Sequence, residues 1–440
     1  MARTLRPFLT WTSLPIVVAM LALMTVSLLS VRAAESADPK DLAGFTTRQA
    51  IYVAVALVGF AVASAFPFRQ VGRWAYVWYG LNLALLVLVL YLPAIRYSHR
   101  WIRVWKFQFQ PSELAKLTYI LALAWYLRYR ANYRRLLGLI PPFVLTCVPA
   151  ALILIEPDLG TTLLLFPTLF FMLFMAGARL RHLLAVLGVA AFLVLCPVPY
   201  NLDAGSPDEA ESRAGLAYWT TTISGRRYAF VAAPLARLPV VNKTLMKTHQ
   251  VSRIQGWLRQ SDPAVAMDQG FQLQQSMMIL GSGGLAGCRI PEAKDLYFRW
   301  LPDDHTDFIF AVIGGQWGLK GCGGVMLIYL AIFICGAEIA AVTQDPFGRL
   351  VVVGVLGLLF SQIFINVGMT LGLMPITGMT LPLISFGGSS MLVNALALGL
   401  LVNVSRCRPR MLARKPFDHD AKTPEQQATY KRPMPAPDGT

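Results

Sequence analysis

Three carboxylates and one histidine are concentrated in a short polar segment that precedes a long apolar run. The carboxylates are Asp303, Asp304 and Asp307, and His305 lies among them. Asp307 is predicted to lie in the first turn of the next helix, whose positive end favours an ionised carboxylate, whereas the two other aspartates are expected to raise its pKa. Such a carboxylate is suited to act as a general base for a sugar hydroxyl, and an ordinary helix cap is the equally weighted alternative.

A second ionisable pair opens another apolar run. Pro111 suits the first turn of a helix, and either Gln110 or Ser112 could cap it. Glu113 and Lys116 are three residues apart and therefore share one helical face. Charged groups inside a membrane segment are costly and are functional candidates by default, but a structural ion pair is at least as well supported.

Two further segments carry polar groups at predicted helix ends. Glu156 and Asp158 lie between two apolar runs, where Asp158 is predicted to cap the second of them. The segment from Leu381 to Ser390 enters the last apolar run and contains glycines and serines. Its composition predicts either tight helix packing or a re-entrant segment that lines a cavity.

A basic and aromatic segment, residues 96–106, departs from the usual charge distribution of membrane proteins, because it lies on the predicted outer side. Its cations are Arg96, Arg100, Arg103 and Lys106, among tyrosine and tryptophan side chains. One interpretation is a set of interfacial aromatic anchors with snorkelling cations. The other is a site for an anionic lipid headgroup or a diphosphate, to which Arg100 and Arg103 would contribute.

The elements that must position these residues are membrane helices. Of the 440 residues, 56% are hydrophobic and 14% are charged, and the mean hydropathy is +0.54, which excludes a soluble globule. We predict an all-α polytopic membrane protein with about ten transmembrane helices. The predicted spans are residues 13–33, 48–67, 74–95, 113–128, 136–155, 160–177, 183–199, 308–336, 350–373 and 383–404. The glycines within residues 308–336 predict close packing or a break.

The charge distribution predicts the topology. The net charge of +16 indicates cytoplasmic loops, not nucleic-acid binding, and the basic short loops all fall on one side of the predicted spans. Both termini are therefore predicted to be cytoplasmic. Residues 1–404 form the predicted membrane domain, with one long extracytoplasmic loop at residues 200–306 between helices 7 and 8. Residues 405–440 form a predicted disordered, basic, proline-bearing tail.

At these polar segments the chain resembles the SEDS family, the shape, elongation, division and sporulation proteins. The matching segments run in family order over some 280 residues. They are Gln110–Lys116, Pro157–Thr161, Gly270–Gly287, Pro302–Val312 and Gln362–Ser390. The chain departs from the family pattern at Gly315 and Gln316, where relatives usually carry two glutamates, and at residues 97–101, which lack the usual Asn-Gly-Ala.

The resemblance implies a peptidoglycan glycosyltransferase of the bacterial cytoplasmic membrane. Such an enzyme polymerises lipid II at the outer face and is partnered by a class B penicillin-binding protein. The resemblance puts the family's essential aspartate on Asp307. It puts substrate contacts on polar residues of the matching segments, namely Glu113, Lys116, Gln272, His305, Ser385 and Ser389. Within the family, residues 368–372 and Thr377 favour the RodA branch over the FtsW branch.

The resemblance does not determine which cations stabilise the leaving group, and it does not exclude two rival functions. The sequence assigns no cofactor, and the charge of a departing polyprenyl diphosphate requires Arg100, Arg103, Lys116 or a divalent metal ion. A lipid II flippase is one rival, because ten helices with buried charges also suit the transport of a polar headgroup. A non-enzymatic membrane scaffold for a penicillin-binding protein is the other.

Overall fold

The computed structural model describes residues 13–37, 44–92, 100–104, 107–130, 132–156, 158–195, 197–199, 219–223, 226–230, 257, 270–288 and 306–406. Predictions for the tail and for most of residues 200–306 lie outside the described residues. The first half of the described chain forms helices α1 (Ser13–Ala37), α2 (Phe45–Ala65), α3 (Phe68–Arg73), α4 (Ala75–Tyr91), α5 (Pro111–Leu127), α6 (Ile140–Ile155), α7 (Leu159–Ala176) and α8 (Leu180–Leu195). The second half forms α9 (Phe271–Ser282), α10 (Ile309–Val342), α11 (Pro346–Thr370) and α12 (Gly388–Arg406).

Short strands accompany the helices. Strands β1 (Ile102–Val104) and β2 (Phe107–Phe109) form an antiparallel hairpin directly before α5. Strands β3 (Pro197–Pro199), β4 (Trp219–Ile223) and β5 (Arg226–Phe230) form a three-stranded antiparallel sheet in the order β3-β5-β4. This sheet and α9 lie largely within the predicted long loop, so part of that loop has regular structure. The fold class is nevertheless confirmed, because the membrane domain is helical.

Each of the ten predicted spans overlaps one long helix. Within the described residues, seven helical segments are long and apolar enough to cross a membrane, and α4 and Leu180–Val189 are shorter apolar helices. The count of ten spans therefore stays a prediction. Helices α11 and α12 form the centre of the bundle, because 78% and 89% of their most apolar windows are buried, against 33% for α2. At Gly399 of α12 an added Cβ would lie 2.8 Å from the Phe60 carbonyl oxygen, so glycine permits close packing against α2.

Helix α10 is broken at Gly318, as the glycines of this run predicted. Asn366 of α11 contacts the Asp307 carbonyl, and Val342 is joined to α11 by a short connection. Asp307 and Val342 would be about 52 Å apart along a straight helix, whereas α11 covers the same depth in about 30 Å. The chain must therefore bend, and it does so at Gly318, which has φ 63° and ψ −158°.

The turn after α9 stabilises this break. The backbone N–H groups of Leu319 and Lys320 donate to the carbonyls of Gly284 and Leu285, at 2.9 and 3.2 Å. These donors would otherwise be unsatisfied at the start of the second half of α10. An added Cβ at Gly318 would lie 2.6 Å from backbone atoms of this turn, so only glycine fits there.

The connection between α11 and α12 re-enters the bundle. The Tyr329 hydroxyl donates to the Pro382 carbonyl, and the Ser27 hydroxyl donates to the Ile384 carbonyl at 2.6 Å. Ser27 lies ten residues before the end of α1, so the loop reaches about 15 Å into the bundle from that end of α1. Leu383 lies between Pro382 and Ile384 and has φ 62°, an unfavourable conformation for this residue type. The last span was predicted to begin at residue 383, which is wrong, because α12 begins only at Gly388.

Candidate functional site

The predicted site segments converge on one end of the bundle, here called the site end. Helices α5, α7, α10 and α12 begin there, and α11 ends there. The contacts that join these helix ends are hydrogen bonds from Gln110 to Asp158, from Gln110 to Ser389 and from Asn366 to Asp307. Five helices that are distant in sequence therefore present their polar termini to one region.

Asp158 accepts four hydrogen bonds at the site end. It is the N-cap of α7, and it accepts hydrogen bonds from the Thr161 amide at 3.2 Å and the Thr161 hydroxyl at 2.9 Å. The predicted cap is therefore confirmed. Asp158 also accepts from Gln110 Nε2 at 2.9 Å and from the Ser112 hydroxyl at 3.0 Å. Four donated hydrogen bonds therefore converge on one carboxylate, and those from Gln110 and Ser112 join α5 to α7.

Either Gln110 or Ser112 was predicted as a possible cap of α5, but the N-cap position carries no side-chain capping hydrogen bond. Gln110 is the N-cap of α5 by position, but its side chain makes no capping hydrogen bond, and Pro111 fills the first helical position. Both side chains bind Asp158 instead. Proline removes one backbone donor at this helix end, so fewer N–H groups need a cap.

Glu113 and Lys116 form a buried ion pair on α5. The Lys116 ammonium lies 2.7 Å from Glu113 Oε2, and the two residues are 1% and 6% exposed. The expected structural pair is therefore present. Its burial is unusual, because lysine and glutamate are almost never buried unless they are paired. The pair places one cation and one anion inside the bundle, one turn below Asp158 and its partners.

Asp307 lies at the entrance to α10, but not inside the helix. The N-cap is Phe308, with φ −108° and ψ 21°, so the prediction of a first-turn position is wrong. Asp307 is half-buried, and its backbone carbonyl accepts a hydrogen bond from Asn366 Nδ2 at 2.9 Å. The preceding carbonyl, of Thr306, accepts from the Ser385 hydroxyl at 2.6 Å. The backbone at the candidate base is therefore fixed by two side chains of other elements.

Ser385 and Ser389 act as bridges between elements. Ser385 accepts from the Leu381 amide at 2.7 Å while it donates to Thr306, so it connects the re-entrant loop to the start of α10. Ser389 accepts from the Gln110 amide at 3.0 Å and donates to the Gln108 carbonyl at 3.2 Å. In this structure both hydroxyls hold the site together, and their predicted contact with substrate stays a prediction.

The remaining predicted site residues are Arg100, Arg103, His305 and Gln272. Arg100 Nε donates to the Glu156 carbonyl at 2.7 Å, which brings a cation to the site end. Arg103 pairs with Gln108 in the hairpin, and its side chain lies outside the described part of the structure. His305 also lies outside the described residues. Gln272 is half-buried in the first turn of α9, and its predicted role is untested.

Sequence analysis did not assign a role to Glu156. This residue follows α6, is 0% exposed, and both carboxyl oxygens lack a hydrogen-bond partner among the residues that the structure describes. Burial, and then the negative charge of Asp158, raise the pKa of Glu156 to about 9, although Arg100 opposes the shift. A carboxyl group with this pKa is protonated at neutral pH.

Two carboxamides of α11 were also missed as site residues. Asn366 Nδ2 donates to the Met379 carbonyl as well as to Asp307, and Gln362 Nε2 donates to the Thr380 carbonyl at 2.8 Å. Both are buried in an apolar helix, which is the signal that could have identified them. They connect the re-entrant loop to α11 and to the candidate base. Among the described residues, no cluster of three or more His, Cys, Asp or Glu side chains could hold a metal ion.

The fold and the site define a multi-pass membrane protein with a polar site at one end of its helices. The sequence profile of the FtsW/RodA/SpoVE family, described as cell cycle protein, matches residues 8–202 and 214–409. These ranges cover most of the chain, so the chain belongs to the FtsW/RodA/SpoVE family, which is the SEDS family that its motifs resemble.

Individual relatives cover most of the chain. It is 32% identical over 367 residues to the probable peptidoglycan glycosyltransferase FtsW of Geobacter metallireducens, covering 82% of this chain and 84% of that protein. It is 31% identical over 387 residues to the peptidoglycan glycosyltransferase RodA of Treponema pallidum, covering 81% and 89%. A chain of a solved peptidoglycan synthase complex superimposes with a TM-score of 0.67 at 27% identity, covering 90% of this chain and 98% of that chain. FtsW and RodA proteins match equally well, so the RodA preference stays a prediction.

Proposed function

We propose that the chain is a peptidoglycan glycosyltransferase that polymerises lipid II, with Asp307 as its general base. The observation that carries the proposal is a half-buried carboxylate whose backbone is fixed at the mouth of a helical bundle by Asn366 and Ser385. Because its backbone is held in place, the carboxylate needs less reorganisation to reach the proton that it removes. Family membership and the shared names of the relatives support the reaction class.

The proposed reaction is a single displacement. Asp307 removes the proton from a sugar hydroxyl of one lipid II, and the oxygen attacks the anomeric carbon of the glycan chain held on a second lipid. A carbon–oxygen bond forms, the bond to the diphosphate breaks, and a polyprenyl diphosphate leaves with its electron pair. Arg100 and Lys116 are the proposed cations that stabilise this departing charge. Lys116 is 1% exposed whereas Arg100 is half-buried, so Arg100 is more accessible and is the first candidate.

The orientation is part of the proposal. The start of α1 and the end of α12 lie at the end of the bundle opposite the site. That opposite end also carries the basic loops, including Arg69 and Arg349. By the positive-inside rule it is the cytoplasmic end of a bacterial inner-membrane protein, with both termini in the cytoplasm. The site then faces outward, where the disaccharide of lipid II is available and its polyprenyl tail remains in the membrane.

A class B penicillin-binding protein is the proposed partner. The solved relative belongs to a peptidoglycan synthase complex that is described as coordinating polymerisation and crosslinking. A glycosyltransferase that makes uncrosslinked strands requires such an activity nearby. No described residue pattern identifies the partner surface, so the partner is proposed from the relative alone.

The decisive experiment replaces Asp307 by Asn in the purified complex and measures glycan chains made from lipid II. We expect the loss of polymerisation at unchanged folding, because asparagine keeps the shape of the side chain and cannot act as the base. Asp345→Asn is the matched control, since it makes the same substitution at the opposite end of the bundle. Full activity of D307N would end the assignment of Asp307 as base.

A flippase remains the second candidate, because charged groups are buried in the bundle. The position of the polar cluster at one end, instead of at the middle of the helices, favours the enzyme. Vesicles that carry lipid II only in the leaflet accessible to the site distinguish the two functions. A glycosyltransferase elongates glycan there, whereas a flippase only depletes lipid II from that leaflet. A scaffold predicts that D307N supports normal glycan synthesis.

A further inference from the structure

We infer that the end of the bundle opposite the site contains a binding site for an anionic phospholipid. A groove of about 370 Å³ lies between the start of α6, the turn before it and α8. Its lining is entirely apolar and includes Leu136, Ile140, Phe143, Cys147 and Val186. The volume is in the range of small-molecule pockets, and an apolar groove of this size on a membrane helix is suited to a segment of an acyl chain.

The residues of the groove are positioned at the membrane boundary. Leu136–Leu139 form a turn of 3-10 helix that connects the arginine-rich segment after α5 to α6. Leu136, Leu137 and Ile140 are 54%, 79% and 55% exposed, although all three are large and apolar. Exposed apolar surface of this kind is stable only when lipid or another apolar surface covers it. The groove therefore opens toward the acyl region of one leaflet.

The charges at the end of the groove select an anionic headgroup. Arg134, Arg135, Arg179 and Arg181 are all exposed, and they flank the turn before α6 and the start of α8. The Arg134 guanidinium approaches Gly177, which brings the two arginine-bearing loops together. Between residues 128 and 195 the only carboxylates in the sequence are Glu156 and Asp158, and both lie at the site end.

The start of α8 adds to the positive potential. Its first backbone N–H groups point away from the helix, as they do at every helix N-terminus, and the helix dipole favours an anion there. His182 Nδ1 in this turn is buried and has no hydrogen-bond partner among the described residues. Basic pockets between transmembrane helices on the cytoplasmic side are typical sites for anionic headgroups. The occupant is therefore a phospholipid with a phosphate headgroup of net negative charge and an acyl chain in the groove.

The first experiment measures which lipids stay bound to the purified protein. The wild type is reconstituted with equal amounts of phosphatidylglycerol and phosphatidylethanolamine, extracted in mild detergent, and its retained lipids are counted by native mass spectrometry. We expect phosphatidylglycerol to be retained at least tenfold more than phosphatidylethanolamine. Equal retention of the two lipids would contradict a headgroup site.

Two pairs of variants, each with a test variant and a control, probe the two parts of the site. R135Q/R181Q removes two cations at the groove, and R69Q/R73Q removes two cations from α3 at the same end of the bundle. V186W fills the groove, and V189W adds the same bulk on the exposed face of α8. We expect retention of phosphatidylglycerol to fall at least tenfold in R135Q/R181Q and in V186W. Retention should be unchanged in the controls R69Q/R73Q and V189W. Equal retention in all four variants would overturn the proposal.

A third measurement uses only the wild-type protein, so its result does not depend on whether the variants fold. Phosphatidylglycerol added to delipidated protein in detergent should raise its unfolding temperature with saturation, whereas phosphatidylcholine should not, because only a ligand of the folded state stabilises it. An identical response to both lipids would contradict the site. Glycan polymerisation by R135Q/R181Q should remain at the wild-type level, so the lipid site and the proposed enzymatic function are tested separately.

Discussion

The two ends of the bundle handle charge in opposite ways. At the site end, Glu113, Lys116, Glu156 and Asp158 are at least nine-tenths buried. At the opposite end, most arginines of the loops are exposed, and the ion pair between Arg69 and Asp345 has one partner whose side chain is 72% exposed. Arg349 is the buried exception among the described arginines of that end, because it is 4% exposed and donates to the Thr343 carbonyl. Burial of charge is costly, so the site end must keep its charges for a reason other than stability. The opposite end keeps most of its charges where water and lipid headgroups solvate them.

Loss of the Glu113–Lys116 pair and loss of the Arg69–Asp345 pair are expected to differ most in their effect on the unfolding free energy. Lys116→Met leaves the Glu113 carboxylate buried without its cation, which should cost about 3–5 kcal/mol of unfolding free energy. Arg69→Gln removes an exposed pair and should cost less than about 1 kcal/mol. Chemical unfolding in one detergent measures both, and the double variant K116M/E113Q should recover part of the loss. Similar losses in K116M and R69Q would show that burial does not separate the two ends.

Two glycine-to-alanine substitutions test how tightly the turn after α9 packs on α10 near its break. Gly283→Ala would place a Cβ 2.0 Å from the Gly314 carbonyl oxygen, a contact with backbone that no rotamer can relieve. We expect a loss of about 1–3 kcal/mol. Gly323→Ala, in the second half of α10, meets nothing within 4 Å and should stabilise the protein slightly, because alanine favours the helix. Thermal unfolding distinguishes the two, and an unchanged melting temperature in G283A would contradict the tight packing of this turn on α10.

Two buried asparagines provide a matched pair. Asn366 holds the carbonyls of Asp307 and Met379 at the site end. Asn403 holds the carbonyls of Ala63 and Ser64 at the opposite end, at 3.2 and 2.9 Å. Replacement of either by alanine leaves buried acceptors unsatisfied and should cost about 2 kcal/mol.

Activity separates the two asparagines. In N366A we expect kcat to fall at least tenfold with little change in KM, because the backbone of Asp307 loses a hydrogen bond that positions the base. In N403A the folded fraction should keep the wild-type kcat. Equal kcat values in the two folded variants would show that Asn366 is only structural.

The sequence predicted helices and local contacts well. The i,i+3 spacing of Glu113 and Lys116 predicted their ion pair, and the position of Asp158 before an apolar run predicted its cap. Contacts between helices were not predictable, such as that between Gln110 and Asp158, which are 48 residues apart. Such contacts depend on the tilt and rotation of each helix, and hydropathy specifies neither. Several glycines of α10 could each permit a break in the helix. The turn after α9 packs against Gly318, and this contact determines that the break is at Gly318.

The stability of the protein is also expected to depend on pH through Glu156, by at most about 1.4 kcal/mol for each pH unit. Because its pKa is about 9 in the folded protein and near 4.5 when unfolded, folding takes up a proton between these values. Its contribution to stability is therefore complete below about pH 4.5 and is lost as the pH rises toward 9. Glu156→Gln removes this titration, so its stability relative to the wild type should increase from pH 5 to pH 9. Thermal unfolding of both proteins over this range measures the difference. A constant difference would mean that Glu156 is ionised in the folded protein, and the site end would then hold one more negative charge than the structure indicates.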